Sequence, residues 1–544
     1  MNATVKKNTC QDDFSGLPSV AGKIHPRDEG GKNERDGAGK FVRGILTKSG
    51  TVYSAPAVVL ATGTYLNALV HVSGRMWHSG PSGMTPSLDL AASLEESGIG
   101  LRRFKTGTPA RVLASSLRYD GMQEQKGDEE IMPFSFMNDD VADNKISCWL
   151  TWTNPKAHKI VADNIDKTAP YGGHTTGVGP RYCLSIEDKV SRFPERERHQ
   201  IFLEPEGLST EEVYVQGMST SLPENLQREF YRSIAGLEEA KFSRYAYSIE
   251  YDCIDPTRLK KSLEYRGIDG LFCAGQINGS SGYEEAAAQG LIAGLNAARK
   301  VLGKMSWTPD RSEAYIGVLI DDLVTKGTNE PYRIMTSRAE FRLVLRQDNA
   351  DLRLTAAGYE LGLASRERYE RYLKNKDDTE REIERLRTGQ VSRAATDEFI
   401  RGLTGDGVEV DEFIRGKDAG GRISYAELLK RPEVSWKSLS EAFGPWEQVS
   451  TYARTQAEIQ IKYEGYISKQ EKQIEKFRKL EHRLIPEGID YLSLNGLRNE
   501  AKEKLDALRP TSIGEAGRIS GVSPADIGVL LVHIERLGRE KNEG

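Results

Sequence analysis

The sequence predicts an α/β domain followed by an all-α region, and three observations carry that prediction. Between Phe41 and about Arg299, short β-rich runs alternate with helical stretches and glycine turns, the pattern of a layered α/β domain. Inside that span, two apolar runs each end in a glycine-containing turn: AVVLATGTYL, from Ala57 to Leu66, and LFCAGQINGSSGYEEAAAQGLIAGLNAARK, from Leu271 to Lys300. From about Trp307 onward the chain becomes helical. Two long charged stretches, Ser365 to Arg387 and Thr451 to Leu484, repeat their apolar residues at helical spacing.

Taken in chain order, Arg27 to Lys40 is glycine-rich and charged, with almost no apolar residue, and is expected to form a flexible segment or hairpin tip. Ala57 to Leu60 is β-branched and apolar, which suits a buried parallel strand, and Gly63 in the following turn lets backbone come close to another group. The strand from Leu271 to Ala274 runs into a loop with Gly275, Gly279 and Gly282, and a helix is expected to start near Tyr283. That helix carries small residues at Ala286, Gly290, Ala293, Gly294 and Ala297, one face that could pack tightly on a sheet. Its free N–H groups and positive dipole end would face the glycine loop and suit a dinucleotide phosphate. Further on, Ser337-Arg-Ala-Glu340 has capping-box spacing, so a helix is expected from Arg338 with Arg338, Arg342 and Arg346 on one face.

With 544 residues and 38% hydrophobic content, the chain can build several packed domains. No apolar run approaches the roughly 20 residues that span a bilayer, and the polar opening lacks a signal-peptide centre, so no membrane association and a cytoplasmic location are expected. The five cysteines, Cys10, Cys148, Cys183, Cys253 and Cys273, are far apart with no Cys-x-x-Cys, which predicts neither a disulfide framework nor a metal site. A net charge of −5 means that any nucleic acid must be met by local basic patches.

Several motifs then appear in order: KTGTPAR (Lys105 to Arg111), GPRYCLSIEDKVSRF (Gly179 to Phe193), IFLEPEG (Ile201 to Gly207), STSLP (Ser219 to Pro223), GQINGSSGYEEAAAQGL (Gly275 to Leu291), SRAEFRLVLRQDNADLRLT (Ser337 to Thr355) and IKYEGY (Ile461 to Tyr466). Together they resemble the MnmG (GidA) family over almost everything after Val42. The resemblance implies a glutathione-reductase-like FAD/NAD(P)-binding fold with an inserted NADH-binding region and an all-α C-terminal domain. It also implies modification of the tRNA wobble uridine at C5 with FAD, NADH and methylenetetrahydrofolate. The implied partners are tRNA and the GTPase MnmE, in homodimers and a heterotetramer.

On this reading residues 1–40 are poorly structured or replaced, 41–104 and 243–300 form the FAD-binding-type α/β domain, 105–242 form the insertion, and 301–544 form the helical domain for tRNA and GTPase. The family opens with a strand and a Gly-x-Gly-x-x-Gly turn that seats the FAD pyrophosphate, and no such string occurs in this sequence. The α/β domain is therefore expected to be incomplete at its N-terminus. The purified chain is expected to lack flavin while still binding tRNA.

Uracil C5 is a poor nucleophile, and a thiolate added at C6 activates it; that thiolate needs nearby positive charge. Cys183 sits close to Arg181 and Lys189, and the resemblance implies a role for it in activity. Lys105 belongs to a compact cationic loop suited to phosphate or a folate tail, and with Asp188 it completes the expected catalytic set. The expected cofactor set is Gly179, Pro180, Arg181, Tyr182 and Cys183 for NADH, with Gly63, Gly275, Gln276, Gly279 and Gly282 for the flavin side. Arg181 and Asp188 could pair in that region. Arg338, Arg342 and Arg346 are the expected tRNA contacts, and a second basic helix runs from Lys462 to Lys479. Cys253 and Cys273 are expected to be structural.

Other assignments compete. A catalytically silent module could keep the tRNA and GTPase surfaces without flavin. The folate- and FAD-dependent tRNA uracil methyltransferases (TrmFO) lack a long helical C-terminal region, and a disulfide reductase would need a Cys-x-x-Cys or Cys-x4-Cys pair.

Overall fold

The computed structural model describes residues 3–5, 40–129, 131–139, 141, 143–182, 184–404, 422–446, 449–481, 483–486 and 488–542. Residues 27–39, Cys10 and Cys183 lie outside the described residues.

The strand expected after Ala57 is β1 (Val58–Leu60), and the chain turns at once through Gly63–Tyr65. It continues as β2 (Leu69–Val72) and β3 (Arg75–His78), then helix α1 (Leu88–Glu96) and the long strand β4 (Leu101–Thr108). After an insertion it returns as β5 (Tyr247–Ile254) and β6 (Leu271–Cys273). β6 pairs with β1 in parallel, Leu271 opposite Val58 and Cys273 opposite Leu60. Beside them lies a four-stranded antiparallel sheet in the order β3-β2-β5-β4. β4 and β5 pair over their whole length, from Leu101 opposite Ile254 to Thr108 opposite Tyr247. One core, including Leu60, Leu66, Leu94, Ile254, Leu271, Phe272 and Ile292, joins β1, α1, the end of β5 and β6.

The insertion builds its own six-stranded sheet, with Gln123–Gln125, Cys148–Trp152, Gln200–Pro205, Glu212–Gln216, Arg111–Leu113 and Phe242–Arg244 in spatial order. Val112, Ile201, Leu203, Val213, Val215, Phe230 and Tyr231 form a separate core there. The short helix α2 (Ile186–Arg192) seats Ile186 in that core and carries the IEDK run.

Helix α3 (Tyr283–Val301) starts where the sequence places it, but its packing face differs. Ala293 and Ala297 are buried, whereas Gly290 and Gly294 face open space. The buried face is instead marked by Glu285, Gln289, Ile292 and Asn296; Gln289, Asn296 and Glu285 Oε1 find partners in the neighbouring loops.

After α3 comes α4 (Tyr315–Asp321), which runs into one π-helical stretch at Asp322–Lys326. The helix expected from Arg338 does not form. Thr336–Arg338 is a single 3-10 turn, because Glu340 is drawn to the buried Arg311 at 2.8 Å while Ala339, Phe341 and Leu345 pack with Val318 and Ile474. Tertiary contacts override the capping signal here. The two charged stretches are helices as read, α5 (Arg366–Thr388) and α6 (Thr451–Glu481). They share a core with Leu428, Leu429 and Trp436, and a second helical core gathers Ile485, Leu505, Ile513 and Leu530 around α7 (Ile513–Arg518). Among the described residues, no helix is long and apolar enough to cross a membrane.

Candidate functional site

Because β1 and β6 run in parallel, their carboxyl ends open on the same edge, where open α/β sheets take their ligands. The turns Gly63–Tyr65 and Gly275–Asn278 follow those ends and meet: Gln276 Oε1 lies 3.4 Å from where a Cβ on Gly63 would sit. The second turn is held by Gln289, fully buried on α3. Its Oε1 accepts from the Gly275 N–H at 3.3 Å and from Asn278 Nδ2 at 2.8 Å, and its Nε2 donates to Ser280 Oγ at 2.8 Å.

Gly279 has a φ of 77°, and a Cβ there would come 3.0 Å from Thr328 Cγ2 and 3.2 Å from Phe104 Cε2, so the position strongly favours glycine. Three buried polar atoms around the turns, Thr62 Oγ1, Asn278 Oδ1 and Glu285 Oε2, have no hydrogen-bond partner. Sealing such groups costs about 1–3 kcal/mol each, and a polar cofactor seated on the turns would offer them partners.

β4 links this edge to a second space. Successive side chains of a strand point to opposite sides, so Phe104 packs toward Gly279 while Lys105 lines a small, solvent-open cleft. Its lining includes Thr106, Gly107, Gly179, Pro180, Ser185, Glu187, Asp188, Ser219 and Ser221, so three motifs far apart in sequence converge there. Gly179 lies directly on the Lys105 stem, where a Cβ would come 2.8 Å from Lys105 Cε.

The segment leading into Gly179 runs beside β4, with the Lys105 N–H donating to the Val178 carbonyl at 3.0 Å. Glu250 of β5 anchors it: Oε1 accepts from the N–H groups of Thr176 at 2.8 Å and Gly177 at 2.5 Å, and Oε2 faces His71 Nε2 at 2.9 Å. Burial pushes the Glu250 carboxyl up, but His71 and the two amides outweigh it and hold the group at about 2. Gly177 is required for this contact, since a Cβ would stand 2.8 Å from the Phe104 carbonyl carbon and 2.9 Å from Glu250 Oε1.

Ser185 caps α2 by accepting from the Asp188 N–H at 3.3 Å. Asp188 is committed locally: Ser185 Oγ donates to it at 2.9 Å and Tyr171 OH at 3.2 Å. It therefore does not pair with Arg181, which lies 3.9 Å from Glu330 and over the Tyr182 ring. Beside Asp188, Glu187 is almost fully buried, with Oε1 facing Ser221 Oγ at 3.3 Å and Oε2 unpartnered, and burial raises its carboxyl pKa.

Glu187, Glu250 and Gln289 were not singled out from the sequence. Only Glu187 carried a usable hint, since Ile186 beside it marks the buried side of the helix. Of the three arginines expected to meet tRNA, Arg338 donates to the Arg333 carbonyl and stacks on Tyr332, and Arg346 pairs with Asp348 at 3.1 Å. Arg342 is exposed. Burial pushes the Cys253 and Cys273 thiols up to about 12, which suits packing and not nucleophilic chemistry.

Fold and site together define an α/β protein of the dinucleotide-binding type, in which paired parallel strands end in glycine turns beside a polar cleft shared with an inserted sheet. The chain belongs to the MnmG/GidA family: "Glucose inhibited division protein A" matches residues 28–305. The MnmG/GidA C-terminal helical domain matches 366–471, and the C-terminal helical bundle of the same tRNA-modifying enzymes matches 473–544.

It is 53% identical over 502 residues to the tRNA uridine 5-carboxymethylaminomethyl modification enzyme MnmG of Clostridium botulinum (strain Loch Maree), covering 92% of this chain and 78% of that protein. The protein of the same name from Alkaliphilus oremlandii is 52% identical over 503 residues, with 92% and 78% covered. Aquifex aeolicus GidA in its form II crystal superposes with a TM-score of 0.80 at 42% identity, covering 91% of this chain and 77% of that one.

Proposed function

We propose that this chain modifies the tRNA wobble uridine at C5, adding a carboxymethylaminomethyl-type group. The observation that carries the reading is the convergence of KTGTPAR, GPRYCLSIEDK and STSLP on one cleft next to the two glycine turns. The Clostridium and Alkaliphilus relatives are named for this modification, which supports extending it here. On this reading tRNA is the substrate, the GTPase MnmE the partner, a homodimer the core of a heterotetramer, and the cytoplasm the place of action.

Against the flavin-free chain expected from the missing Gly-x-Gly-x-x-Gly string, Thr62, Gly63, Gly275, Gln276, Gly279 and Gly282 would hold FAD, and Gly179 to Cys183 would meet NADH. The unpartnered Thr62 Oγ1 and Asn278 Oδ1 fit such a group. When bound, FAD supplies the electron transfer between NADH and the one-carbon unit of methylenetetrahydrofolate.

The chain's own residues act on uracil. The Cys183 thiolate adds to C6, and the C5–C6 electron pair moves into the C4 carbonyl as an enolate that the Lys105 ammonium stabilises. Once C5 has bonded to the incoming carbon, the C5 proton leaves to a base and the C6–S bond breaks, returning the thiolate. Glu187 is suited to hold a proton in the cleft, and Asp188, fixed by Ser185 and Tyr171, orients the α2 end of it.

Mass analysis of wobble uridine in tRNA treated with the protein, its GTPase partner and the cofactors tests the reading. The modified nucleoside should form, and Cys183→Ser should abolish it while tRNA binding persists; unmodified tRNA with every component present overturns the assignment. Titration of the chain with FAD tests the cofactor part. Saturable binding that Gly279→Val weakens supports it, and no binding leaves tRNA and GTPase binding alone.

A further inference from the structure

The buried charge cluster behind α4 spans parts of the chain that the site description leaves unconnected. Arg518, on α7 in the C-terminal bundle, grips Asp321 through two parallel hydrogen bonds from one edge of its guanidinium: Nε donates to Oδ2 at 2.7 Å and Nη2 to Oδ1 at 2.8 Å. These residues are 197 positions apart in sequence. Glu481 and Lys261 complete the contact, Lys261 lying 3.4 Å from Asp321 and 3.8 Å from Glu481.

The neighbouring Asp322, only 1% exposed, opens the π-helical stretch and accepts from Arg311 at 2.8 Å and from Tyr332 OH at 2.9 Å. Tyr332 in turn is laced to the glycine turn: its N–H donates to the Gly279 carbonyl at 2.8 Å, and its carbonyl accepts from the Ser281 N–H at 3.0 Å. Two residues on, the Ile334 N–H donates to Glu285 Oε1 at 2.8 Å. Thr328, between the cluster and Tyr332, is the residue that closes over Gly279.

We infer that Arg518 is a positioning residue for the Gly279–Gly282 turn: docking of the C-terminal bundle fixes Asp321, the adjoining Asp322 fixes Tyr332, and Tyr332 fixes the turn. The network has the form such coupling needs: charge-assisted hydrogen bonds run from Arg518 through Asp321, Arg311 and Asp322 to the Tyr332 hydroxyl, buried where each is worth more than at the surface, and two backbone hydrogen bonds carry it from Tyr332 to the turn. The consequence for cofactor binding rests on the reading of that turn given above. The positional effect itself does not.

Amide hydrogen exchange followed by mass spectrometry, on the full chain without FAD or tRNA, separates the two. Arg518→Met is expected to speed exchange in peptides covering 279–285 and 332–334 by about tenfold or more, since a charged hydrogen-bonded contact is lost. Arg518→Lys, which keeps the charge but not the paired hydrogen bonds, should fall between Met and the parent, and peptides of β4 and β5 should not change. Tyr332→Phe removes only the hydroxyl and leaves the bundle untouched, so it should speed exchange at 279–285 while 499–518 stays protected. If Arg518→Met keeps 499–518 protected yet leaves 279–285 and 332–334 unchanged, the inference fails. If the bundle itself opens in Arg518→Met, Tyr332→Phe decides, and unchanged exchange at 279–285 in that variant overturns the inference. Faster exchange at 279–285 with unchanged FAD binding and tRNA modification would count against the functional reading of the turn and not against this coupling.

Discussion

Two buried carboxylates in the site region meet opposite surroundings, and their pH responses should differ in sign. Glu250, 2% exposed, is held at about 2 by His71 and two backbone amides, against 4.5 for an unperturbed glutamate. The unfolded chain binds its proton first on acidification, so the stability Glu250 contributes is complete above about 4.5 and is lost as pH falls through about 2. Glu250→Gln should cost roughly 2–4 kcal/mol near neutral pH, read by urea unfolding, and should flatten that acid limb. An unaltered acid limb in the variant would remove Glu250 from its cause. For Glu187, burial raises the carboxyl pKa, so the folded state keeps its proton longer and stability falls as pH rises above 4.5. Glu187→Gln should therefore stabilise the protein at neutral pH relative to the parent, by thermal unfolding, while lowering modification activity if that proton is used in the cleft.

At the level of elements, the stretch 336–346 shows what a local pattern can and cannot say. Arg338 and Arg346 are bound to their own surroundings, so substituting them should cost stability, whereas Arg342 stands exposed and available. Arg342→Gln is expected to reduce the salt dependence of tRNA binding by roughly one phosphate contact, a slope change of about 0.7–0.9, with no change in unfolding midpoint. A constant slope would leave Arg342 as ordinary surface. The turns after β1 and β6 and the start of α3 were legible because an apolar strand followed by glycine is a local signal. So were α5 and α6, whose periodicity extends over many turns. The failed helix at Arg338 and the displaced face of α3 were not legible, because they depend on Arg311 finding Glu340 and on Gln289 finding Gly275, contacts between residues distant in sequence. The same holds for Glu250 and Glu187, which by residue type alone read as surface acids.

At the scale of the whole molecule, the α/β domain and the C-terminal bundle are joined by charge, with Lys261 within 3.9 Å of Asp321, Glu481 and Glu515. Arg311 is 2% exposed and contacts Asp321, Asp322 and Glu340. Arg311→Met would leave buried carboxylates without their main partner, and an equilibrium unfolding loss of about 3–5 kcal/mol is expected, while a loss under about 1 kcal/mol would show that Lys326 and Arg518 suffice. β4 has a comparable reach, since it walls the glycine turns on one side and the cleft on the other through the alternation of Phe104 and Lys105. That alternation makes the strand intolerant of odd changes in length. Deleting one residue between Leu101 and Phe104 would swap the aromatic ring and the ammonium between compartments, whereas deleting two would keep each on its own side and only shorten the approach. Natural or engineered length variation in this strand should therefore come in pairs.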